Sequence, residues 1–322
     1  MTIVIAGPGA LGSLLTARVT LFLQTRVSQS PTRLWLLDYR PDRAERLNRA
    51  GILLKENVRS VSVPVKVTAR PADISACDIL ICCTKTATLR ACLDHASPMI
   101  TPDTLVIGMQ NGILHPDILR QSRGIAAVGI TSEGATLEGE GRVRHGGSGL
   151  TRFGLLDQST PEATGRLRSL ARMFEEAGFQ SRCTDNPEKY IWHKLFINVG
   201  INALSAIYNR TNGQLLTSCS LREPMKKAVA EAVSVARALG IEVETDPVRS
   251  VFQVCRQTRH NVSSMLQDVR NKKPTEIGAI NGAVVALGKK LGIPTPVNEN
   301  LVQRVRRLEA MYDEQDSSSR NG

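Results

Sequence analysis

A chain of 322 residues with 42% hydrophobic and 22% charged residues is long for a single core and too apolar to be largely disordered or collagen-like. The formal charge of +11 raises nucleic acid as a partner, yet aromatics are only 4% and Lys and Arg are spread along the whole chain. With no stacking platform and no recognition motif, no nucleic acid is expected and an anionic small ligand is the better match to the charge. Seven cysteines form an odd set without C-x-x-C spacing and five histidines show no ligand spacing, which predicts reduced thiols in a cytoplasmic protein and no metal. No apolar run is long enough to span a bilayer.

Thr2 to Ala6 is a β-branched run leading directly into Gly7-Pro8-Gly9-Ala10-Leu11-Gly12, followed by a helical pattern from Leu11 to about Leu23. Strand, G-x-G-x-x-G and helix in this order predict a dinucleotide-binding turn, whose glycines allow the tight turn, the approach of backbone to a pyrophosphate and close helix packing. A glycine-rich turn without a ligand is the bland alternative. The polar Gln24 to Pro31 segment reads as an extended loop, and Arg33 to Leu37 as a second strand ending at Asp38-Tyr39-Arg40. An acid there takes the ribose hydroxyls of NAD, whereas a nearby arginine accommodates the ribose phosphate of NADP; Asp38 and Arg40 therefore argue against each other.

Pro41 to Ala50 reads as a helix stopped by Gly51, and Ile52 to Val67 as a hairpin excursion of short strands. Asp78 to Cys83 and Thr104 to Met109 are buried-strand patterns, followed by Thr84-Lys85 and by Gln110-Asn111-Gly112. Ligands of open α/β sheets bind beyond the carboxyl ends of strands, which singles out Lys85 and Asn111, although an exposed lysine and an ordinary Asn-Gly turn explain them equally simply. Ile125 to Thr131, Arg142 to His145, Thr151 to Leu155 and Phe179 to Cys183 read as later strands, with a helix from Thr160-Pro161 to Gly178.

Strand signals stop near Asp185, where the domain boundary is expected: residues 1–185 as a Rossmann-type α/β domain, and 186–322 as an all-α domain with an unstructured tail over 313–322. Asp185-Asn186-Pro187-Glu188 starts a helix. Further helices are expected over Leu221 to Leu239, Pro247 to Asp268, Thr275 to Leu291 and Asn298 to Tyr312. Within Trp192 to Asn202, Lys194, Asn198 and Asn202 recur every four residues on one stripe, while Leu195, Phe196, Ile197, Val199 and Ile201 make the rest of the circumference apolar. A polar stripe on a buried helix needs partners. It faces either a polar ligand or solvent and neighbouring helices. Ser263 and Ser264 lie in an unusually polar helical stretch, and Glu276 has a plain reading as a first-turn acid capped by Thr275.

Together GPGALG, Lys85, Gln110-Asn111-Gly112, Trp192-His193-Lys194, Asn198, Asn202, Asn212-Gly213, Asn261 to Asp268, Thr275-Glu276-Ile277 and Asn281-Gly282 resemble the ketopantoate reductase (2-dehydropantoate 2-reductase) family from residue 2 to about 312. The resemblance implies NADPH-dependent reduction of 2-dehydropantoate to pantoate in pantothenate biosynthesis. In it Lys194 is the proton donor to the ketone oxygen and Glu276 an acid touching substrate and cofactor; Asn198, Asn202, Asn212 and Ser264 hold the substrate. It puts Gly7 to Gly12, Lys85 and Asn111 on the cofactor, with Asn111 also near the substrate. A reductase of another branched 2-keto acid and a nicotinamide-binding sensor without turnover are the rival readings. NADPH is expected to be preferred and NADH accepted, with Arg40 and Arg43 pairing the ribose phosphate while a mobile Asp38 carboxylate turns aside. A homodimer is the commonest assembly for such enzymes.

Overall fold

The computed structural model describes residues 1–25, 32–157, 160–243 and 246–318. They form two compact units, Met1–Gln110 with His115–Pro187, and Asn111–Leu114 with the chain from Glu188 onward. The expected loop over Gln24 to Pro31 lies almost wholly outside the described residues.

In the first unit, β1 (Thr2–Ala6) runs into α1 (Ala10–Gln24), and β2 (Arg33–Leu37) into α2 (Pro41–Ala50). The excursion expected over Ile52 to Val67 is an antiparallel pair, β3 (Ile52–Glu56) and β4 (Arg59–Val63), followed by the short β5 (Val67–Thr68). Next come β6 (Ile79–Cys82), α3 (Thr86–Ala96), β7 (Leu105–Gly108), α4 (His115–Leu119) and β8 (Ile125–Thr131). The unit closes with β9 (Gly134–Gly139), β10 (Arg142–Gly147), β11 (Leu150–Leu155), α5 (Pro161–Glu176) and β12 (Gln180–Cys183). The main sheet has the order β12-β11-β8-β7-β6-β1-β2-β5, parallel from β8 to β5 with β11 antiparallel to β8. This is the doubly wound arrangement expected of the N-terminal half, with the order reversing at β1. Its central strands are apolar on both faces, as a covered parallel sheet requires: every residue of β6 and β7 is buried.

A second sheet, β4-β3-β10-β9, packs on α1. Arg18 of α1 ties it down: its Nε donates to Glu56 (2.6 Å) and its Nη2 to His145 Nδ1 (3.2 Å), while His145 Nε2 meets the buried Glu133 carboxylate at 2.7 Å. Because a guanidinium only donates, Nδ1 is the accepting nitrogen of His145. Strand β9 and helices α3 and α4 went unforeseen in the sequence.

The second unit has helices and no strand among its described residues: α6 (Pro187–Tyr208), whose first residue groups with the first unit, α7 (Cys219–Ala238), α8 (Pro247–Gln257), α9 (Ser264–Arg270), α10 (Asn281–Leu291) and α11 (Pro296–Ser318). Leu195, Phe196, Val199, Met225, Val229, Val251, Met265, Val284 and Val305 build its core. Three expectations need correction. The helix expected over Pro247 to Asp268 is two helices, because the carbonyls of Arg259 and Asn261 accept from the backbone of Gly213 and Asn212 (3.1 and 3.0 Å) instead of from their own helix. Ser263 restarts the chain as the N-cap of α9, its hydroxyl accepting from Leu266 N. The helix expected from Thr275 starts at Asn281, since Thr275 N donates to Glu309 (2.6 Å) and the Thr275 hydroxyl accepts from Ile277 N, closing a turn. Finally, α11 runs on to Ser318, so residues 313–318 of the expected unstructured tail are helical, and 319–322 lie outside the described residues.

Candidate active site

In the first unit the glycine turn takes the form its spacing demands. Gly7 sits at φ +98°, and a Cβ on Gly12 would collide with the Gly7 carbonyl oxygen, so α1 can approach β1 this closely only without side chains there. Gly9 caps α1 with no side-chain bond, and a Cβ built on it meets nothing within 4 Å. The first amides of α1 therefore face open space at the positive end of a helix, which fits a pyrophosphate. Pro8, Ala10 and Leu11 complete the turn and the first helical positions, and Lys85 is the N-cap residue of α3 just past the carboxyl end of β6.

Asp38, at the end of β2, is not the mobile carboxylate expected from sequence. It is 1% exposed, and both oxygens are engaged: Oδ1 accepts from Tyr39 N (2.7 Å), Arg40 N (3.2 Å) and Arg43 Nη2 (2.5 Å), and Oδ2 from Arg43 Nε (2.5 Å). Arg40 is also committed, forked onto Asp42 at 3.2 and 2.7 Å. Arg43 lies over the Tyr39 ring, and its bonds to Asp38 use Nε and Nη2, leaving Nη1. Arg43, not Arg40, is thus the cation held in place at the end of β2.

In the second unit the stripe on α6 is graded. Lys194 and Asn198 are half-buried and Asn202 is buried, while Leu195, Phe196, Val199 and Ile201 point into the core. Burial pulls the Lys194 ammonium down from its ordinary 10.5 to about 8, against the attraction of the Glu276 carboxylate, which favours the charged form. Glu276 in turn accepts from Asn111 Nδ2 at 2.8 Å. Since α10 starts only at Asn281, Glu276 is not a first-turn acid of that helix; its backbone carbonyl closes the turn by accepting from Ala279 N and Ile280 N. The macrodipole explanation for Glu276 accordingly falls.

Asn198 Nδ2 is buried with no hydrogen-bond partner. That leaves a donor whose desolvation costs on the order of 1–3 kcal/mol unless a ligand accepts from it. Asn212 donates to Thr258 Oγ1 at 2.8 Å, while its Oδ1 is buried without a partner. Ser264 is exposed at the first position of α9, whereas Ser263 is buried and bonded to Ser205 at 2.5 Å. Asn111 is therefore hydrogen-bonded to Glu276, whose charge acts on Lys194, and Asn198 and Asn212 carry unused polar atoms.

The sequence reading missed what lies behind this stripe. Asn281 and Asn298 are fully buried; Asn281 Nδ2 donates to Asn298 Oδ1 (2.9 Å) and to the Val199 carbonyl (3.4 Å), and Asn298 Nδ2 to Glu231 (2.7 Å) and the Ala228 carbonyl (3.0 Å). This network pins α6 beside Asn198 to α7, α10 and α11. Asn281, the first residue of α10, is one of the motif positions quoted from the sequence, whereas Asn298, in the first turn of α11, showed there only as the start of a helix. Among the described residues no group of three metal-ligating side chains occurs and no helix is long and apolar enough to cross a membrane.

A G-x-G-x-x-G turn between the first strand and first helix of a doubly wound sheet, followed by a helical unit carrying a buried lysine, is the architecture of a dinucleotide-dependent oxidoreductase. The chain belongs to the ketopantoate reductase family: residues 3–158 match the model "Ketopantoate reductase PanE/ApbA" and residues 186–309 its C-terminal counterpart. It is 30% identical over 311 residues to a 2-dehydropantoate 2-reductase of Pyrococcus horikoshii, covering 97% of this chain and 98% of the relative. Among solved structures, a PanE/ApbA family ketopantoate reductase from Ralstonia eutropha is 26% identical with TM-score 0.86, covering 97% of this chain and all of the other. D-mandelate dehydrogenase with NADH and anilino(oxo)acetate is 28% identical with TM-score 0.85, again covering 97% and 100%.

Proposed function

We propose that this protein reduces the C2 ketone of 2-dehydropantoate to the alcohol of pantoate with NADPH, as a cytoplasmic enzyme of pantothenate biosynthesis that binds neither nucleic acid nor membrane. The observation that carries the reading is Lys194, a lysine brought to about 8 by burial on the polar stripe of α6 and under the opposing attraction of the Glu276 carboxylate. The bound nicotinamide supplies the hydride. As the ketone oxygen gains negative charge, the Lys194 ammonium stabilises that charge more than it does the ground state and then gives up its proton to it. A group titrating near 8 is a better proton donor at neutral pH than an ordinary lysine and is still charged there. Glu276, held by Asn111, keeps the local charge balanced and accepts from a substrate hydroxyl. Asn198 offers its unused amide to the carboxylate, with Asn202, Asn212 and Ser264 completing the substrate's polar surroundings. Gly7 to Gly12 hold the pyrophosphate, and Lys85 and Arg43 supply positive charge to the cofactor.

The test is oxidation of NADPH and NADH by purified protein with 2-dehydropantoate against a panel of 2-keto acids. Turnover fastest with 2-dehydropantoate sustains the reading, and none with any keto acid leaves a sensor. The likeness to D-mandelate dehydrogenase favours a second reading, in which an aryl 2-keto acid is reduced and NADH serves; phenylglyoxylate in the panel separates the two. Assembly as a homodimer is checked by sedimentation of the same preparation.

Two outcomes follow from the geometry. The active form carries a protonated Lys194, so kcat/KM is expected to hold up to about pH 8 and to fall tenfold per pH unit above the Lys194 pKa of about 8. A profile flat to pH 10 would remove the lysine from this role. Asn198→Ala, and more weakly Ser264→Ala, are expected to raise KM by roughly tenfold with little change in kcat, because a carboxylate binds equally well before and during hydride transfer. An unchanged KM with a lowered melting temperature would make Asn198 a packing residue.

A further inference from the structure

Glu276 stands between two stretches of chain that are held in different ways. On its C-terminal side burial does the work: Ile277 and Ile280 are buried, and the Glu276 carbonyl closes the turn into α10. On its N-terminal side packing gives no such hold. Asn271, Lys272, Lys273 and Pro274 are all exposed, and Lys272 turns the chain at φ +49°. A surface link of this kind does not by itself place the residue after it to within about 0.5 Å, the tolerance of a catalytic constellation. Thr275 is nonetheless tied down. Its amide, the first after Pro274, donates to Glu309 Oε1 at 2.6 Å, and its hydroxyl accepts from Ile277 N at 3.2 Å. Glu309 comes from α11, 34 residues further along the chain. That helix is fixed at its other end, where Glu231 accepts from the amides of Val297 and Asn298 at 2.9 and 3.0 Å. A carboxylate accepting from a backbone amide makes one of the stronger hydrogen bonds, and here a long helix delivers it.

We propose that Glu309 is a positioning residue for the reduction: from α11 it holds the amide next to Glu276 and so fixes where that carboxylate stands. The inference rests on the ketone-reduction reading above and deepens it. Glu309 acts through Glu276, which accepts from Asn111 and whose charge favours the Lys194 ammonium against burial. A Glu276 that drifts weakens that attraction and leaves burial less opposed, so Lys194 then titrates below about 8. What Thr275 requires of position 309 is an acceptor oxygen at the right reach. The carboxamide oxygen of glutamine supplies one without charge, whereas aspartate keeps the charge and loses the reach.

The experiment compares Glu309→Ala, Glu309→Asp and Glu309→Gln with wild type in two measurements. Competitive acetylation across a pH series, mapped by peptide mass, titrates Lys194 without any turnover. Steady-state kinetics with NADPH and 2-dehydropantoate follow the reaction. Glu309→Ala and Glu309→Asp are expected to titrate Lys194 at lower pH than wild type does and to lose roughly tenfold or more in kcat/KM, as a misplaced reacting group does. The alkaline limb of their kcat/KM profile moves down in pH with Lys194. Glu309→Gln is expected to stay near wild type in both measurements. A Lys194 titration unchanged in all three variants, whatever their melting temperatures, overturns the proposal and makes Glu309 a packing residue. Glu309→Asp behaving as wild type while Glu309→Gln behaves as Glu309→Ala also overturns it, since the effect is then charge acting through space. If Glu309→Ala does not fold, the contrast between the other two variants decides. Wild type that turns over no keto acid, with the Lys194 shift still present in Glu309→Asp and absent in Glu309→Gln, overturns the reduction reading and leaves the hold on Glu276 standing.

Discussion

Lys194→Met is expected to lower kcat by 10²-fold or more, the usual scale for losing a positioned acid, while making the protein more stable at pH 7. The second half of that expectation follows from the sign of the shift. Burial moves the ammonium from 10.5 to about 8, so at pH 7 the group is charged in both folded and unfolded chains and the folded one bears a desolvation penalty on the order of 3 kcal/mol. That penalty is fully present below about pH 8 and fades as the pH rises through 10.5. Methionine fills a similar volume without a charge, so it recovers part of the penalty, and its advantage over wild type shrinks in alkaline buffer. A lysine that merely reached solvent would give neither effect. Steady-state kinetics and urea denaturation at pH 7 and pH 10 on one preparation decide it: turnover kept, or stability unchanged at both pH values, sinks the assignment.

Arg43→Ala is expected to destabilise the protein by about 3–5 kcal/mol, because it leaves the buried Asp38 carboxylate with backbone amides alone. Asp38→Ser is the milder change: the arginine it frees is 20% exposed in its side chain and can reach water. Sequence alone casts that substitution as sharpening a preference for NADPH by removing a repelling charge. The geometry reverses the expectation. Asp38 is already neutralised and acts as the support that aims Arg43, so Asp38→Ser should weaken NADPH binding relative to NADH. Arg40→Ala, which breaks only an exposed fork to Asp42, should change stability by less than about 1 kcal/mol. Dissociation constants for both cofactors, measured with melting temperatures for the three variants, distinguish these roles. A rise in NADPH preference in Asp38→Ser would restore the repulsion account.

The readable features were those whose causes lie close together in sequence. The strand, glycine turn and helix at the N-terminus are dictated within two dozen residues, and α1 starts one residue from its expected position. The stripe of Lys194, Asn198 and Asn202 was visible because polar residues at helical spacing stand out against an apolar circumference. What escaped depends on distant partners. The break between α8 and α9 exists because Asn212 and Gly213 take carbonyls that a helix would otherwise use, and the late start of α10 depends on Glu309. Strand β9 is glycine-rich, with no alternation to betray it. The state of Asp38 was misjudged although its partner lies only five residues on: a residue's charge is legible in a sequence, but which of two nearby arginines closes onto it, Arg40 or Arg43, depends on how the end of β2 meets α2.

The four residues Asn111–Leu114 are flanked on both sides by the first unit yet group with the second. There Asn111 bonds Glu276, and Gly112, at φ +87°, leaves no room for a Cβ beside the Ala279 carbonyl. The gene is therefore not a tandem of two exchangeable cassettes. A fragment ending at Pro187 would carry a short piece whose native neighbours are encoded 165 residues further on. A chimera that joins this N-terminal half to a relative's helical half inherits that piece from one parent and its seat from the other. A graft that respects only the obvious seam after β12 would separate Asn111 from the carboxylate it hydrogen-bonds in this chain.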